Sequence, residues 1–288
     1  MTYSINAFHH TGILTRDLDG LERTYRSFGF TASPRSRHLL SERPGEPPQP
    51  GCTANACLLF GGSYIELLGI VDESAPDPWR TKSMADGFQI LNFDTDNAEG
   101  VDRALTAAGL RTSGVLDLER EVDTAEGTRT MRARSLHIDP RTTVEGYIGI
   151  AQHLTREYVH QPRYLDHPNG ARGIVTVLIV AADDQLDAVV ERYRRVLETD
   201  SSPEGPRTVL ERKGVRLELI RASDVPDVLP GEPLLAQSYL AAMTIQVDDV
   251  NRARGIVESA GTETRSTSDG FFVSARDAYG AGLYFAAR

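Results

Sequence analysis

One arrangement of apolar and polar positions recurs four times along this chain: a short apolar run, an Asp, then a helical pattern with one apolar face. In the first copy the run around residues 8–14 leads to Asp17. Leu18, Leu21, Tyr25 and Phe28 then fall on one face of a helix that Gly29 stops. The second copy runs over residues 88–93, passes Asp94 and Asp96, and carries Val101, Leu105 and Ala108 up to a stop at Gly109. The third runs over 174–180 to Asp183 and Asp184, then Leu186, Val189, Val190, Tyr193 and Leu197. The fourth runs over 241–247 to Asp248 and Asp249, then Val250, Ala253, Ile256, Val257 and Ala260, with a stop at Gly261. An Asp at each junction can accept from the free N–H groups of a first helical turn. A terminal Gly takes the left-handed C-cap at little cost. The spacing is uneven and far longer than a solenoid repeat, so the pattern predicts duplication of a supersecondary unit.

After each helix the pattern turns to strands. The first unit predicts a strand within residues 30–40, another over 54–60, a hairpin turn at Gly61-Gly62 and a strand over 63–70. Pro44, Pro47, Pro48 and Pro50 mark 41–51 as an excursion outside any ladder. The second unit predicts strands near 115–120, 128–138 and 146–151, the middle one alternating as a half-exposed antiparallel strand does. The third continues through 208–211 and 215–220, and the fourth through 270–274 and 282–285. Residues 224–233 read as a Pro-rich crossover. Periodicity disappears between 152 and 173, where Pro162, Pro168 and Gly170 punctuate the chain. The expectation is an α+β fold of four tandem βαβββ units in two domains, 1–152 and 173–288, joined by a linker over 153–172.

A length of 288 residues suits two domains with their own cores, and 40% apolar with 25% charged residues is the balance of a soluble globular chain. No run of eighteen apolar residues is present, so no membrane partner is expected, and the first residues lack the basic and apolar regions of a secretory signal. Cys52 and Cys57 are too few for a disulfide framework. They read as a loop residue and a small buried residue in a reducing cytoplasm. The net charge of −10 argues against a nucleic-acid partner. Arg35, Arg37 and Arg43, and Arg192, Arg194 and Arg195, have acids on both sides in the chain and read as solvated surface. There is no phosphate loop, dinucleotide fingerprint or nucleophile elbow.

His10 lies in the opening strand, in His10-Thr11-Gly12-Ile13, and Glu66 in a closing strand, in Tyr64-Ile65-Glu66-Leu67. Set in four tandem βαβββ units, these stretches resemble the vicinal oxygen chelate superfamily of glyoxalases, bleomycin-resistance proteins and extradiol dioxygenases. The segment from Gln152-His153-Leu154-Thr155 to His167-Pro168-Asn169-Gly170-Ala171 is similar to its glyoxalase-like subgroup. The resemblance covers nearly the whole chain. It implies that units pair and their sheets curl into two cups, where a divalent metal is held by a His of an opening strand and a Glu of a closing strand from each unit. Imidazole and carboxylate suit Zn, Mn, Fe, Ni or Co, and an open coordination position accepts adjacent substrate oxygens.

Carried over residue by residue, His10 and Glu66 match in unit one. Gln89 takes the opening-strand position of unit two and Gly149, without a side chain, the closing one; His153 or His137 can fill the gap. Unit three offers Val177 or Thr176 but keeps Glu218, and unit four offers Ala242 and Tyr284, so the second domain reads as a degenerate half. His9, one residue from His10, is expected on the opposite sheet face. Tyr64 shares the face of Glu66 and either packs or binds a substrate oxygen. His160 and His167 read as linker or surface residues. The implied function is a glyoxalase-like, metal-dependent lyase, isomerase or oxygenase acting on a small molecule with vicinal oxygens. Glu66 and Tyr64 are its catalytic candidates, and His10, Glu66, Gln89 and His153 its metal ligands. The alternative is a metal-free small-molecule binding protein of the bleomycin-resistance kind, with His10 hydrogen-bonded and Glu66 paired to an Arg. A homodimer is compatible with either.

Overall fold

The structure is a computed structural model and describes residues 5–287. Its first unit comprises β1 (Ala7–Thr15), α1 (Leu18–Ser27), β2 (Ser36–Leu40), β3 (Gln49–Leu59) and β4 (Tyr64–Ile70). The second comprises β5 (Gly87–Asp94), α2 (Ala98–Ala107), β6 (Leu116–Thr124), β7 (Gly127–His137) and β8 (Tyr147–His153). A helical turn, α3 (Arg156–Val159), precedes β9 (Ala171–Ala181), α4 (Leu186–Leu197), β10 (Ser201–Glu204), β11 (Arg207–Arg212) and β12 (Val215–Arg221). Another turn, α5 (Val225–Val228), leads to β13 (Tyr239–Val247), α6 (Val250–Ser259), β14 (Thr264–Ser266), β15 (Gly270–Val273) and β16 (Gly282–Ala286).

The junction chemistry is local. Asp17 caps α1 by accepting from Gly20 N at 2.9 Å, and the chain leaves the helix through Gly29 at φ +83°. Asp249 caps α6 in the same way, accepting from Arg252 N at 3.0 Å. At α2 the cap is Asn97 instead of Asp94 or Asp96, because Asp94 ends β5 and binds Arg156 at 2.9 Å. No side chain caps α4.

Strands β1, β4, β3, β2, β6, β7, β8 and β5 form a closed barrel in that order. Within it β1 runs parallel to β4 and antiparallel to β5, and the seam is Leu39 opposite Glu119 with Leu40 opposite Leu118. The later strands repeat the order as β10-β11-β12-β9-β13-β16-β15-β14, but this sheet stays open. Its two edges, β10 and β14, have four and three residues and do not pair with each other. Neither edge strand is announced by the sequence pattern.

Two expectations are corrected in β3. Pro50 belongs to the strand, opposite Leu39, since β4 pairs with β3 only from Thr53 onward and leaves Pro50 one partner strand to satisfy. Cys52 is a buried strand residue like Cys57, not part of a loop.

One continuous apolar core joins the outer face of the barrel to α1, α2 and the second sheet. The Tyr25 hydroxyl of α1 donates to the Ala278 carbonyl at 3.1 Å, and the Phe93 ring of β5 meets Tyr193 of α4 edge-on. Arg192 is not solvated. It lies against buried Glu145, 2.5 Å from Oε1, which also accepts from the Tyr193 hydroxyl at 2.8 Å. With the outer face given to apolar packing, the inner face of the barrel is where polar side chains collect.

Candidate active site

The barrel interior encloses about 70 Å³ of free space. That admits an ion with a few ligand atoms and falls short of the few hundred Å³ of a drug-sized ligand site. Trp79, Met84, His137 and Tyr147 also border a wider outer groove of about 590 Å³.

Glu66 stands at the centre of the interior. Its Oε1 accepts from Asn55 Nδ2 at 2.6 Å and lies 3.7 Å from His38 Nε2; its Oε2 lies 3.7 Å from His10 Nε2. Each imidazole is braced from behind. His38 Nδ1 meets Thr53 Oγ1 at 2.9 Å, His10 Nδ1 meets His9 Nδ1 at 2.7 Å, and Tyr64 stacks on His10 with ring centres 4.8 Å apart. His9 enters the barrel because of a register shift between Phe8 and His10. This β-bulge turns both histidines to one side, against strict alternation.

The register identifies what stands where His10 and Glu66 stand. His10 faces Asn92 across β1 and β5, with Asn92 Nδ2 2.9 Å from His10 Nε2. Glu66 lies opposite Gly12, two residues past His10; the same step in unit two leads from Asn92 to Asp94 and so to Ala151. Gly149 lies opposite Asn92, where a Cβ would come within 2.3 Å of Asn92 Oδ1, so its bareness makes room for the amide. Gln89 lines the outer groove and not the cavity. His153 lines the cavity, but its ring neighbours are His9 at 4.3 Å, Tyr64 and His160.

In the second sheet the matching positions are Leu178 opposite Ala242, with Ile220 and Tyr284 two residues on. They belong to one apolar cluster with Phe272, Val225 and Val228. Glu218 is not among them and is bound by Arg207 and Arg216. Far from being a surface residue, His167 is buried. It accepts from Thr31 N at 3.0 Å through Nδ1, which leaves Nε2 to donate to the Leu59 carbonyl at 2.9 Å.

Sequence reasoning missed His38, Asn55, Asn92 and Arg120. The available signal was strand parity: Arg120 shares the inward phase of Leu116, Leu118 and Val122, and Asn92 that of Ile90.

Burial sets the protonation states. It lowers His10 to about 3, helped by His38, His137 and Arg120, and it lowers His38 and His137 to about 3 as well. These imidazoles are neutral at pH 7 and able to ligate or accept a hydrogen bond. Burial also raises Glu66, with Asn55 and Arg120 pulling the other way.

These residues fit a divalent cation in kind. Two neutral imidazoles flank one carboxylate, and Asn55 Oδ1 and Asn92 Oδ1 are buried acceptors without a hydrogen-bond partner. Among the described residues no three His, Cys, Asp or Glu side chains form a ready-made metal set. Ligands sharing an ion stand roughly 3.0–3.5 Å apart. The 3.7 Å separations therefore require contraction by a few tenths of an ångström on loading.

The profile of the glyoxalase-like domain matches residues 8–197. No curated protein sequence matches significantly. Among solved structures, the chain is similar to a hypothetical protein from Staphylococcus aureus, with TM-score 0.64, 15% identity, and 98% of this chain and 99% of that one covered. It is similar to a xylose isomerase-like TIM barrel/4-hydroxyphenylpyruvate dioxygenase fusion protein, with TM-score 0.61 and 11% identity; all of this chain aligns with 50% of that one. A triple mutant of 4-hydroxymandelate synthase from Streptomyces coelicolor aligns with TM-score 0.57 and 10% identity, over 100% of this chain and 93% of that one. No helix among the described residues is long and apolar enough to cross a membrane. The chain belongs to the glyoxalase-like domain family, within the vicinal oxygen chelate superfamily.

Proposed function

We propose that the first barrel is the active site of a metal-assisted enzyme acting on a small molecule with two adjacent oxygens, as a lyase, isomerase or oxygenase. The observation that carries this reading is Glu66 flanked by His10 Nε2 and His38 Nε2, each 3.7 Å from a different carboxylate oxygen. Two imidazoles and one carboxylate are the donor set of a facial triad. His10, Glu66 and His38 hold the ion in this reading, while Gln89 is left to the groove and His153 braces His9. A divalent ion so held polarises a carbonyl or hydroxyl pair and stabilises the oxyanion that develops there.

The chain's own residues supply orientation. Asn55 fixes the Glu66 carboxylate, and Tyr64, by stacking, fixes the His10 ring. His137 stands where cavity and groove meet, with Tyr147 hydroxyl 2.7 Å from its Nδ1 and Ser135 Oγ 3.1 Å from its Nε2. Burial keeps this imidazole neutral, so it is suited to orient a substrate by hydrogen bonding, with Tyr147 holding the ring in place. The four repeated units read as two vicinal-oxygen-chelate bodies, of which the first works and the second, with apolar residues at every matching position, serves as scaffold.

Metal analysis of untagged protein tests this. Wild type is expected to bind one divalent ion per chain, and His10→Ala with Glu66→Ala, or His38→Ala alone, to lose it together with turnover of vicinal-oxygen compounds. Wild-type protein that takes up no ion on reconstitution defeats the proposal. It would direct work to metal-free sequestration, read as ligand-induced thermal stabilisation without consumption.

A further inference from the structure

Arg120 is a buried barrel cation with no carboxylate in ion-pair contact among the described residues; Glu66 acts on it only at longer range. Arg120, on β6, is 3% exposed and projects inward, bordering both the inner cavity and a second groove of about 420 Å³ beside Ser33, Ser36 and Tyr158. Among the described residues its guanidinium has one hydrogen-bond contact, Cys57 Sγ at 3.8 Å, and no carboxylate within 4.0 Å. Arg192, also nearly buried, shows what the fold does elsewhere: its guanidinium is paired with a carboxylate of the chain, Glu145, at 2.5 Å. A buried guanidinium whose only acceptor is a thiol is weakly served, and the five donors of its planar fork match a carboxylate two bonds at a time. The outer groove points the same way despite the chain's charge of −10, with Arg80, Arg111 and Arg141 set against Glu42 and Asp139.

We propose that Arg120 receives a carboxylate of the substrate inside the barrel, so that the site takes small carboxylic acids carrying a neighbouring oxygen. This rests on the proposed function only for where the reacting oxygens lie; the anion site itself requires no metal. Glu66 is held by Asn55 and lies 3.7 Å from each of two imidazoles, and it makes no ion-pair contact with Arg120.

The test uses the full chain stripped of metal, with formate, acetate, glyoxylate and pyruvate as probes, sizes suited to about 70 Å³. Formamide, acetamide and pyruvamide are the neutral counterparts, and binding is read by calorimetry and thermal shift. At least one acid is expected to bind saturably and its amide at least tenfold more weakly. Arg120→Gln should weaken that acid tenfold or more, while Arg103→Gln, on the exposed face of α2, leaves its affinity unchanged. Ligand-free Arg120→Gln should melt no lower than wild type, because it removes a buried charge without an ion-pair contact. A residue serving structure alone would behave in the opposite way. Where Arg120→Gln does not fold, Arg120→Lys keeps the charge without the fork, and its expected loss of affinity takes that place. The inference is overturned if no acid binds wild type, if amides bind as well as acids, or if the Arg120 variants bind unchanged. Metal uptake without acid binding would sink this inference and leave the proposed function standing; acid binding without metal uptake would do the reverse.

Discussion

The two sheets of this protein share one strand order and differ in what lies on the inner face. In the barrel the matched positions hold His10, Asn92, Glu66 and Ala151; in the open sheet they hold Leu178, Ala242, Ile220 and Tyr284. The barrel is closed by β2 and β6, whereas β10 and β14 are too short to meet. Leu178, Ile220 and Phe272, covered by α5, fill part of the second sheet's face, and what remains is an open groove of about 320 Å³ beside Thr176, Glu218 and Thr244. Topology is thus common property of the halves, and chemistry belongs to four side-chain positions. All seven histidines lie between residues 9 and 167, so the second half has no imidazole to offer.

Moving chemistry into the wrong half gives the largest expected effect. Ile220→Glu buries a carboxylate among apolar neighbours and should cost about 3–5 kcal/mol in urea unfolding without creating metal affinity. A smaller loss would mean that the second sheet has polar capacity the comparison denies it.

Acid should distinguish the halves next. His10, His38 and His137 have folded values near 3 against 6.5 for the free side chain, so the unfolded chain takes up protons first. Their contribution is complete above pH 6.5 and is lost as pH falls, together about 3 kcal/mol between pH 6.5 and 5.5 in metal-stripped protein. Raised Glu66 works the other way, adding stability as pH falls through its folded value towards 4.5. Hydrogen exchange at pH 5.5 should show β1–β8 opening before β9–β16; equal loss in both sheets would break the comparison.

Glu66→Leu makes the barrel resemble its partner. It should abolish metal uptake while leaving stability unchanged or raised by about 1–2 kcal/mol, measured by thermal melting, since a buried carboxylate gives way to an apolar group of similar size. Tyr147→Phe is the mildest change. Loss of the contact to His137 should cost about 1 kcal/mol in the same assay and slow turnover without releasing metal.

Much of this was legible in the chain. The four helices follow from their apolar spacing, and His10 with Glu66 follows from the resemblance, because opening and closing strands carry their residues at fixed steps. What escaped depends on partners distant in sequence. The bulge at His9 is a property of β1 against β5 and reverses a parity that holds along an unbroken strand. The resemblance points to Gln89 where the register points to Asn92 for the same reason, since only the pairing of β1 with β5 shows which residue faces His10. His38 comes from a short strand next to a Pro-rich segment, where periodicity has too few residues to speak. Arg192 looked like surface by its charged neighbours, and its partner Glu145 lies 47 residues away.

The latch around Glu145 bears on where this protein could be divided. Residues 8–197 are what it shares with its family, and that stretch closes on the last residue of α4. Arg192 and Tyr193 of this helix satisfy a carboxylate at the rim of the barrel, so a cut in the proline-punctuated segment before β9 would strand that charge. The helix that meets Glu145 follows β9, a central strand of the second sheet between β12 and β13, so a cut past α4 would tear that sheet instead, and neither side of the helix offers a clean division.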